Sequence, residues 1–437
     1  MKNLILFLLS YFSFFNTSFS QVSDITVNNY QIEAALLPSK KALEVQLVCN
    51  ISPNKDTNTL QFLFSSEAIL KTVKSRQDIG WSEIPFTFNG KDSLLLTTDE
   101  NLSENKNYDL EFNYSFPVEE LNDTALILDR GNRWYPLIIN QVFTYTLKCE
   151  VPEGYSVLSS GNHLEEVNEI ERNNFVYECN KPVFKLPLIV FNPEKFRKTE
   201  LHTNRNDIEF YSLTTDSVET VNLMTKADSV LNYFNETLGN YSRKKLIYFE
   251  VSDFGGINVG SGLLTIGTQI IQWTEKGYDD YLILTIAQQW FTAGAFADFG
   301  QPGFFFLTIS LPHYLRLMYI RDTRGEEAYK TSLLKPLENY KEFASKENDV
   351  PLIDVDMPNT KEKGLLLYGK GPFILSKIEN EIGKENWKLF LTDLYKTFLG
   401  KIMTLNDFEN YLSKYDETGK ALALFEKLMN EKEMPEE

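Results

Sequence analysis

The sequence of 437 residues predicts a multi-domain chain in which an antiparallel β-sandwich precedes an α+β domain that is mainly helical. From about residue 22 to 197, short runs alternate apolar and polar side chains between turn residues, a pattern typical of half-buried strands. After about residue 205 the apolar residues recur at helical spacing, with a few strand-like segments among them. This change of period predicts domains over residues 21–200 and 201–437.

The first domain consists of short predicted strands. Alternating runs at residues 30–34, 43–47 and 143–147 indicate strands with one buried face, and turn residues at 52–54 and 89–90 separate such runs. Frequent breaks between short alternating runs are what a sandwich of antiparallel strands requires.

The second domain opens with mixed elements and continues with helices. Residues 217–233 predict an amphipathic helix, and residues 245–251 and 262–267 predict buried strands. Beyond about residue 278 the spacing is helical, and Thr404 is placed to cap the start of a helix.

Residues 1–20 have the pattern of a secretory signal peptide. Lys2 gives a basic start, an apolar run extends from residue 4 to 15, and Ser18 and Ser20 are the small residues that a signal peptidase recognises. The run is shorter than the ~20 residues of a membrane span, which argues against the alternative of an uncleaved anchor helix. We therefore expect an exported protein, periplasmic or extracellular, with no membrane span in the mature chain.

Composition limits the partners of the chain. It has 61 Asp and Glu against 43 Lys and Arg, giving a formal net charge of -18, and an acidic surface repels nucleic acid and anionic lipid. Its three cysteines are Cys49, Cys149 and Cys179. In an exported chain Cys149 and Cys179 could form a disulfide, and the alternative is three buried thiols.

Five short segments follow one another between residues 25 and 415. They are Val-Pro-Glu-Gly-Tyr at 151–155, Phe-Gly-Gly-Ile-Asn at 254–258, Gln-Trp-Phe at 289–291, Tyr-Gly-Lys-Gly at 368–371 and Thr-Leu-Asn-Asp-Phe at 404–408. By their order and spacing the chain resembles the alanyl aminopeptidase family of zinc metallopeptidases, which are gluzincins. The resemblance implies a β-sandwich followed by a thermolysin-like peptidase domain with C-terminal helices.

The resemblance also implies where a zinc site would lie. In the family, a helix carries His-Glu-x-x-His, whose histidines bind zinc and whose glutamate activates water. The matching positions here are Leu284, Thr285 and Gln288, and Leu307 stands where the family has a third ligand, a glutamate. Aliphatic side chains offer zinc no lone pair, and an amide is a poor donor. We therefore predict no metal, no other cofactor and no catalytic residue, with Thr285 as a vestige of the general base.

Two further segments resemble the walls of the family's substrate groove. The strand that grips the substrate backbone corresponds to residues 255–258, but Asn258 or Val259 replaces the glutamate that binds the substrate amine. Tyr368 corresponds to the tyrosine that stabilises the oxyanion, and we interpret it as a retained wall of the groove. The predicted ligand-binding residues are Gly255, Gly256, Ile257, Asn258, Leu284, Gln288, Leu307 and Tyr368.

Other polar and aromatic residues have plainer interpretations. Pro312 interrupts the pair of Ser310 and His313, so His313 is interpreted as a structural histidine rather than a member of a hydrolase site. Glu379 and Glu381 are interpreted as solvated helix surface. The three phenylalanines at 304–306 are predicted to pack in the core, with the lining of the cleft as the alternative.

Together these observations favour an exported, catalytically inactive aminopeptidase-like protein that binds a peptide or protein ligand in its groove, as a strand added along residues 255–258. One alternative is a hydrolase or peptidase with a relocated, non-zinc mechanism, using Tyr368, Lys370 or Asp298. The other is a secreted scaffold with a vestigial groove. The sequence indicates no particular oligomeric state.

Overall fold

The fold is described from a computed structural model over residues 24–77, 80–90, 92–119, 125–252, 256–344, 349–355 and 361–432. The predicted signal peptide and Gly255 lie outside these residues. The chain divides into two units, Gln21–Arg197 with Gly260–Leu263, and Lys198–Val259 with Leu264–Glu437. We call them the β unit and the helical unit. A β-rich region followed by a helical region is the order that the sequence predicts.

The β unit is built from short strands with alternating burial. They are β1 (Ile25–Leu37), β2 (Ala42–Pro53), β3 (Thr57–Leu63), β4 (Ile69–Gln77), β5 (Gly80–Glu83), β6 (Phe86–Phe88), β7 (Ser93–Leu102), β8 (Tyr108–Pro117), β9 (Ala125–Leu128), β10 (Phe143–Pro152), β11 (Ser156–Leu158), β12 (Asn162–Glu169), β13 (Arg172–Val183) and β14 (Leu188–Phe191). An eight-stranded sheet has the order β12-β13-β10-β1-β2-β8-β4-β5, and two smaller sheets have the orders β3-β7-β6 and β11-β14-β9.

One strand pair departs from the antiparallel prediction. β1 lies parallel to β10, with Tyr30 opposite Tyr145, whereas β1 and β2 are antiparallel. Local alternation looks the same in both arrangements, because side chains alternate between faces whichever way the partner strand runs. Strand direction therefore could not be obtained from the period of two.

The register of β10 and β13 decides between the two interpretations of the cysteines. Cys149 lies opposite Phe175, and Cys179 lies opposite Tyr145. Four residues of strand, roughly 13 Å, separate the two cysteines along the sheet, and a disulfide needs Cα atoms within about 7 Å. All three cysteines are buried, and none of them forms a disulfide. The disulfide between Cys149 and Cys179 is therefore wrong for this fold, and the alternative of buried thiols describes it.

The helical unit contains a five-stranded sheet, a two-stranded sheet and helices. Its strands are β15 (Arg197–His202), β16 (Asp207–Ser212), β17 (Lys245–Val251), β18 (Ile257–Val259), β19 (Leu263–Gly267), β20 (Phe296–Ala297) and β21 (Ile402–Met403). Its helices are α1 (Ser217–Leu238), α2 (Thr268–Glu275), α3 (Asp280–Ala287), α4 (Leu311–Arg324), α5 (Glu326–Ala344), α6 (Lys361–Leu365), α7 (Gly371–Ile382), α8 (Lys384–Phe398), α9 (Leu405–Leu412) and α10 (Lys420–Asn430). The larger sheet has the order β15-β16-β17-β19-β18, so β18 is an edge strand.

Local capping explains where two of these helices begin and end. The Asp216 carboxylate accepts hydrogen bonds from the first-turn N–H groups of α1, and the helix ends at Gly239, whose φ of 106° an L side chain rarely adopts. Thr404 forms a capping box with Asp407 at the start of α9, which confirms the predicted cap. None of the described helices is both long enough and apolar enough to cross a bilayer.

Glu379 is not on the surface, contrary to the prediction. Its side chain lies within the helical unit at 1% exposure, and both of its oxygens accept hydrogen bonds of 2.8 Å from the Arg321 guanidinium. The Tyr314 hydroxyl donates to the same carboxylate. Burial of a charge is tolerated when it is paired and hydrogen-bonded in this way. Glu381, two residues further along α7, is exposed as predicted.

Candidate functional site

Helix α3 carries the stretch that resembles the zinc-binding helix, and one of its faces is accessible. Most of its residues are buried, but Tyr281, Leu284 and Gln288 are only half-buried. They are spaced at i, i+3 and i+7, which places them on one side of a helix. The backbone N–H of Gln288 donates to the Leu284 carbonyl at 2.9 Å, so Gln288 still lies one turn beyond Leu284. We call these three residues the α3 face.

Thr285 is directed away from the α3 face. It is buried, and its hydroxyl donates to the Leu282 backbone carbonyl at 3.0 Å. A hydroxyl that keeps its proton and is engaged within its own helix cannot activate water. The following residues belong to the core, since Trp290 is fully buried and its ring N–H donates to the Gly239 carbonyl at 2.8 Å.

Leu307 lies in a wide turn that faces a second one. The chain forms π-helical turns at Phe306–Ser310 and at Leu366–Lys370, and the Ser310 hydroxyl joins them by donating to the Leu367 carbonyl at 2.8 Å. Leu307 is 2% exposed, so it belongs to the hydrophobic core.

The phenylalanines at 304–306 pack mainly in this core. Phe306 is fully buried against Phe408 and Phe425, and Phe305 is also buried. Phe304 is partly buried against the same core. Core packing, the first of the two interpretations, therefore describes this run.

Tyr368 lies in the second π-helical turn beside His313. The two rings meet edge to face at a centroid distance of 4.4 Å. Both residues are half-buried overall, but the Tyr368 hydroxyl and both ring nitrogens of His313 are buried and have no hydrogen-bond partner among the described residues. Ser310 is fully buried and bonded to a carbonyl, so it is not a nucleophile for His313.

Two more side chains complete this group. The Tyr281 hydroxyl and the Arg316 Nε are buried and likewise lack a hydrogen-bond partner within the described part of the chain. Arg316 is 6% exposed, and its Nη1 lies 3.1 Å from the carboxylate of Asp280. We call Tyr281, His313, Arg316 and Tyr368 the polar cluster.

Burial determines the protonation of the polar cluster. It raises the pKa of the Tyr368 hydroxyl, with a smaller contribution from Tyr281. Burial also raises the pKa of Tyr281, with Asp280 acting in the same direction and Arg316 against it. Burial and then the Arg316 charge lower the pKa of His313 well below its usual value. At neutral pH the cluster therefore holds two protonated phenols, a neutral imidazole and one cation.

The strand predicted to grip a peptide backbone is the edge strand of the five-stranded sheet. β18 pairs antiparallel with β19, with Asn258 opposite Thr265, and the Gly256 carbonyl accepts a hydrogen bond of 2.8 Å from the Gly267 N–H. Ile257 is buried and Asn258 half-buried. An edge strand is the element to which an extended peptide can add.

Two residues suggested for a relocated mechanism have other surroundings. Lys370 is fully buried, and its Nζ donates to the backbone carbonyl of Glu431, so it holds the C-terminal segment. Asp298 is half-buried, and burial raises its pKa. Neither is among the groups that interact with Tyr368.

The donors at the zinc-like positions do not fit zinc. Leu284 and Leu307 have no lone pair, and Gln288 alone offers one amide oxygen. Among the described residues, no three His, Cys, Asp or Glu side chains are grouped so that they could hold a metal ion.

The whole chain has the fold of the M1 zinc metallopeptidases. It superposes on the M1 zinc metallopeptidase of Deinococcus radiodurans with a TM-score of 0.75 and 13% identity, covering 96% of this chain and 97% of that one. A mutant of that enzyme bound to Tyr-Ser-Ala substrate gives a TM-score of 0.75 at 14% identity and the same coverage. A two-domain M1 zinc metallopeptidase mutant bound to L-arginine gives 0.73 at 13% identity, covering 94% and 96%. The sequence matches no protein-family model and no curated protein.

Sequence reasoning missed three members of the polar cluster. Tyr281 stands one turn before Leu284 on the same helix face, and this spacing was a usable signal. His313 and Arg316 are three residues apart on α4. Nothing in this spacing reveals that the two ring nitrogens of His313 and the Arg316 Nε are buried without partners among the described residues. His313, interpreted as a structural residue, is therefore a candidate site residue.

His313 is expected to make the protein less stable in acid. Because its pKa is lowered in the folded chain, the unfolded chain takes up the proton first as pH falls. The contribution of neutral His313 to the free energy of unfolding is therefore fully present above pH ~6.5. At lower pH the free energy of unfolding decreases by up to ~1.4 kcal/mol per pH unit. The groups shown to act on His313 are the cation of Arg316, which is paired with Asp280, and the neutral ring of Tyr368. Urea unfolding between pH 7.5 and 5 should show a shallower acid decline for His313→Leu than for the wild type. The same decline with pH in both proteins would contradict this role of His313.

Proposed function

We propose that this protein is a catalytically inactive relative of the M1 metallopeptidases that binds a peptide along the α3 face. The observation that carries the proposal is the partial exposure of Tyr281, Leu284 and Gln288 along one side of α3, whose opposite side, Leu282, Ile283 and 285–287, is buried. A groove filled by packing would bury these positions as well. An accessible stripe on a buried helix is instead what a ligand site requires.

The chemistry of the same face argues against catalysis. Hydrolysis by the family's mechanism needs three zinc ligands and a base that activates water. Leu284, Gln288 and Leu307 cannot supply the ligands, and Thr285 is buried with its hydroxyl bonded to the backbone. Ser310, the nucleophile considered for a relocated hydrolase, is buried, and its hydroxyl donates to the Leu367 backbone carbonyl.

Three features support peptide as the ligand. β18 is an edge strand, so main-chain groups of an extended peptide can pair along it. The Tyr368 hydroxyl is a donor without a hydrogen-bond partner among the described residues. Structures with the same fold are bound to Tyr-Ser-Ala and to L-arginine, which makes short peptides and amino acids the first ligands to test. Export by the predicted signal peptide forms part of the proposal and places this binding outside the cytoplasm.

Metal analysis tests the inactive state. Protein purified after incubation with excess zinc and gel filtration is expected to retain far less than one zinc per chain and to release no product from aminoacyl and peptidyl reporters. One tightly held zinc per chain, or turnover abolished by Tyr368→Phe, would refute the proposal.

Calorimetry with Tyr-Ser-Ala tests the binding site. We expect wild-type protein to bind the peptide and Gln288→Trp to weaken binding by about tenfold or more, because a bulky neutral side chain then occupies the α3 face. Gln301→Trp makes the same change at an exposed position outside this face and should bind like the wild type. Equal affinity of the two variants would exclude the α3 face as the site.

A further inference from the structure

The polar cluster joins side chains of separate elements. Tyr281 comes from α3, His313 and Arg316 from α4, and Tyr368 from the second π-helical turn. His313 and Tyr368 are in ring contact, and Tyr281 interacts electrostatically with both Arg316 and Tyr368. The cluster lies on the accessible side of α3, because Tyr281 is a member of both the cluster and the α3 face.

Unpartnered polar atoms are concentrated in this cluster. Five buried atoms of its four residues lack a hydrogen-bond partner among the described residues: the two hydroxyls, the Arg316 Nε and both ring nitrogens of His313. A buried polar atom without a partner costs about 1–3 kcal/mol. Such a concentration in one place indicates that a molecule from outside the chain supplies the missing partners.

The cluster is rich in donors and carries positive charge. The two phenols and the Arg316 Nε each offer an N–H or O–H, and a neutral imidazole offers one more. Arg316 is nine-tenths buried, and its Asp280 partner contacts Nη1, which leaves Nε directed elsewhere. The side chain of Asp280 is 54% exposed, so solvent weakens its compensation of the buried cation.

We propose that the polar cluster binds a carboxylate group of the ligand. This inference rests on the proposed function and specifies which ligand chemistry the α3 face selects. A carboxylate has two oxygens with about four acceptor sites and one negative charge, which matches several donors and a single cation. A phosphate brings about two negative charges at neutral pH and would need more cations than Arg316 alone.

Matched pairs of ligands test the carboxylate directly. Calorimetry would compare Tyr-Ser-Ala with its C-terminal amide, and benzoate with benzamide. Each acid is expected to bind at least about tenfold more tightly than its amide, since hydrogen bonds to a charged group contribute ~1.5–3 kcal/mol. The two pairs distinguish a peptide C-terminus from a small organic acid as the source of the carboxylate.

Hydroxyl deletions show whether the preference arises in the cluster. The double variant Tyr281→Phe, Tyr368→Phe should lose most of the preference for acid over amide. It should fold normally, because no hydrogen bond between the described residues is lost with either hydroxyl. Tyr248→Phe is the matched control, since it removes a buried hydroxyl that also lacks a partner, in strand β17, and should keep the wild-type preference.

The outcomes separate this inference from the proposed function. Equal binding of Tyr-Ser-Ala and its amide would keep the peptide site and overturn the carboxylate site. Binding of benzoate that depends on the two hydroxyls, without binding of either peptide, would support the carboxylate site and overturn the peptide ligand. If neither acid binds, or if the double variant keeps the full preference, the cluster holds water only and the inference is wrong.

Discussion

Replacing Glu379 by alanine is expected to lower the free energy of unfolding by about 3–5 kcal/mol, the largest effect of any single change considered for this chain. The Arg321 guanidinium makes two hydrogen bonds of 2.8 Å to this carboxylate, and Tyr314 donates a third. Without Glu379 the buried cation keeps only the longer contact of 3.4 Å between its Nε and the exposed Asp322 carboxylate. Urea unfolding followed by circular dichroism measures the loss directly.

The matched control lies two residues along the same helix. Glu381 is exposed, so Glu381→Ala should change the free energy of unfolding by no more than about 0.5 kcal/mol. A loss below about 1 kcal/mol for Glu379→Ala would mean that water or the Asp322 carboxylate compensates the Arg321 cation, and would contradict the prediction.

The second large effect is expected at Glu250. This carboxylate is fully buried at the end of β17 and accepts hydrogen bonds from the Thr214 and Thr268 hydroxyls at 2.8 and 2.7 Å. It also accepts bonds from the N–H groups of residues 213–215. Glu250→Ala leaves these donors without an acceptor and should cost about 3 kcal/mol or more. Because Thr268 follows β19, the change should also loosen the strands on either side of the 251–256 segment.

The same carboxylate gives the stability a dependence on pH. Burial alone would raise its pKa, but the hydrogen bonds from Thr268, Thr214 and the backbone outweigh burial and lower it. The stabilisation is therefore present above the ordinary glutamate pKa of ~4.3 and is lost as pH falls through the lower folded value. The difference in free energy of unfolding between the wild type and Glu250→Ala should be smaller at pH 3 than at pH 6. The exposed Glu338→Ala serves as the control, and a gap that does not change with pH would contradict this origin.

Local patterns predicted much of the architecture. The strand predicted over Lys245–Val251 coincides with the observed element, because the four consecutive apolar residues at 246–249 are typical of a strand buried in a sheet. The first helix begins where predicted, at Ser217, but ends five residues later, because Gly239 rather than a change of period stops it. The direction of β10 beside β1 depends on a distant partner and leaves no trace in the alternation of either strand.

Only part of the candidate site could be predicted from the sequence. The resemblance pointed to Leu284, Gln288 and Tyr368, and the structure places Leu284 and Gln288 on one face of α3. The surroundings of His313 could not be inferred, because they depend on Tyr368, 55 positions away in the chain. The same limit explains the error at Glu379, whose partner Arg321 is separated from it by 58 residues. Periodicity gives the face of a helix but not what covers it.

The two π-helical turns make the geometry of this region sensitive to the deletion of a single residue. Each turn at Phe306–Ser310 and Leu366–Lys370 accommodates one residue more than a regular α-turn. Deleting a single residue from either would restore a continuous α-helix and rotate the preceding segment by roughly 100° against the following one. The orientation of the Tyr368 ring toward His313 therefore depends on the helical phase of these segments. Insertion or deletion of one residue could abolish it without changing the identity of any residue of the polar cluster.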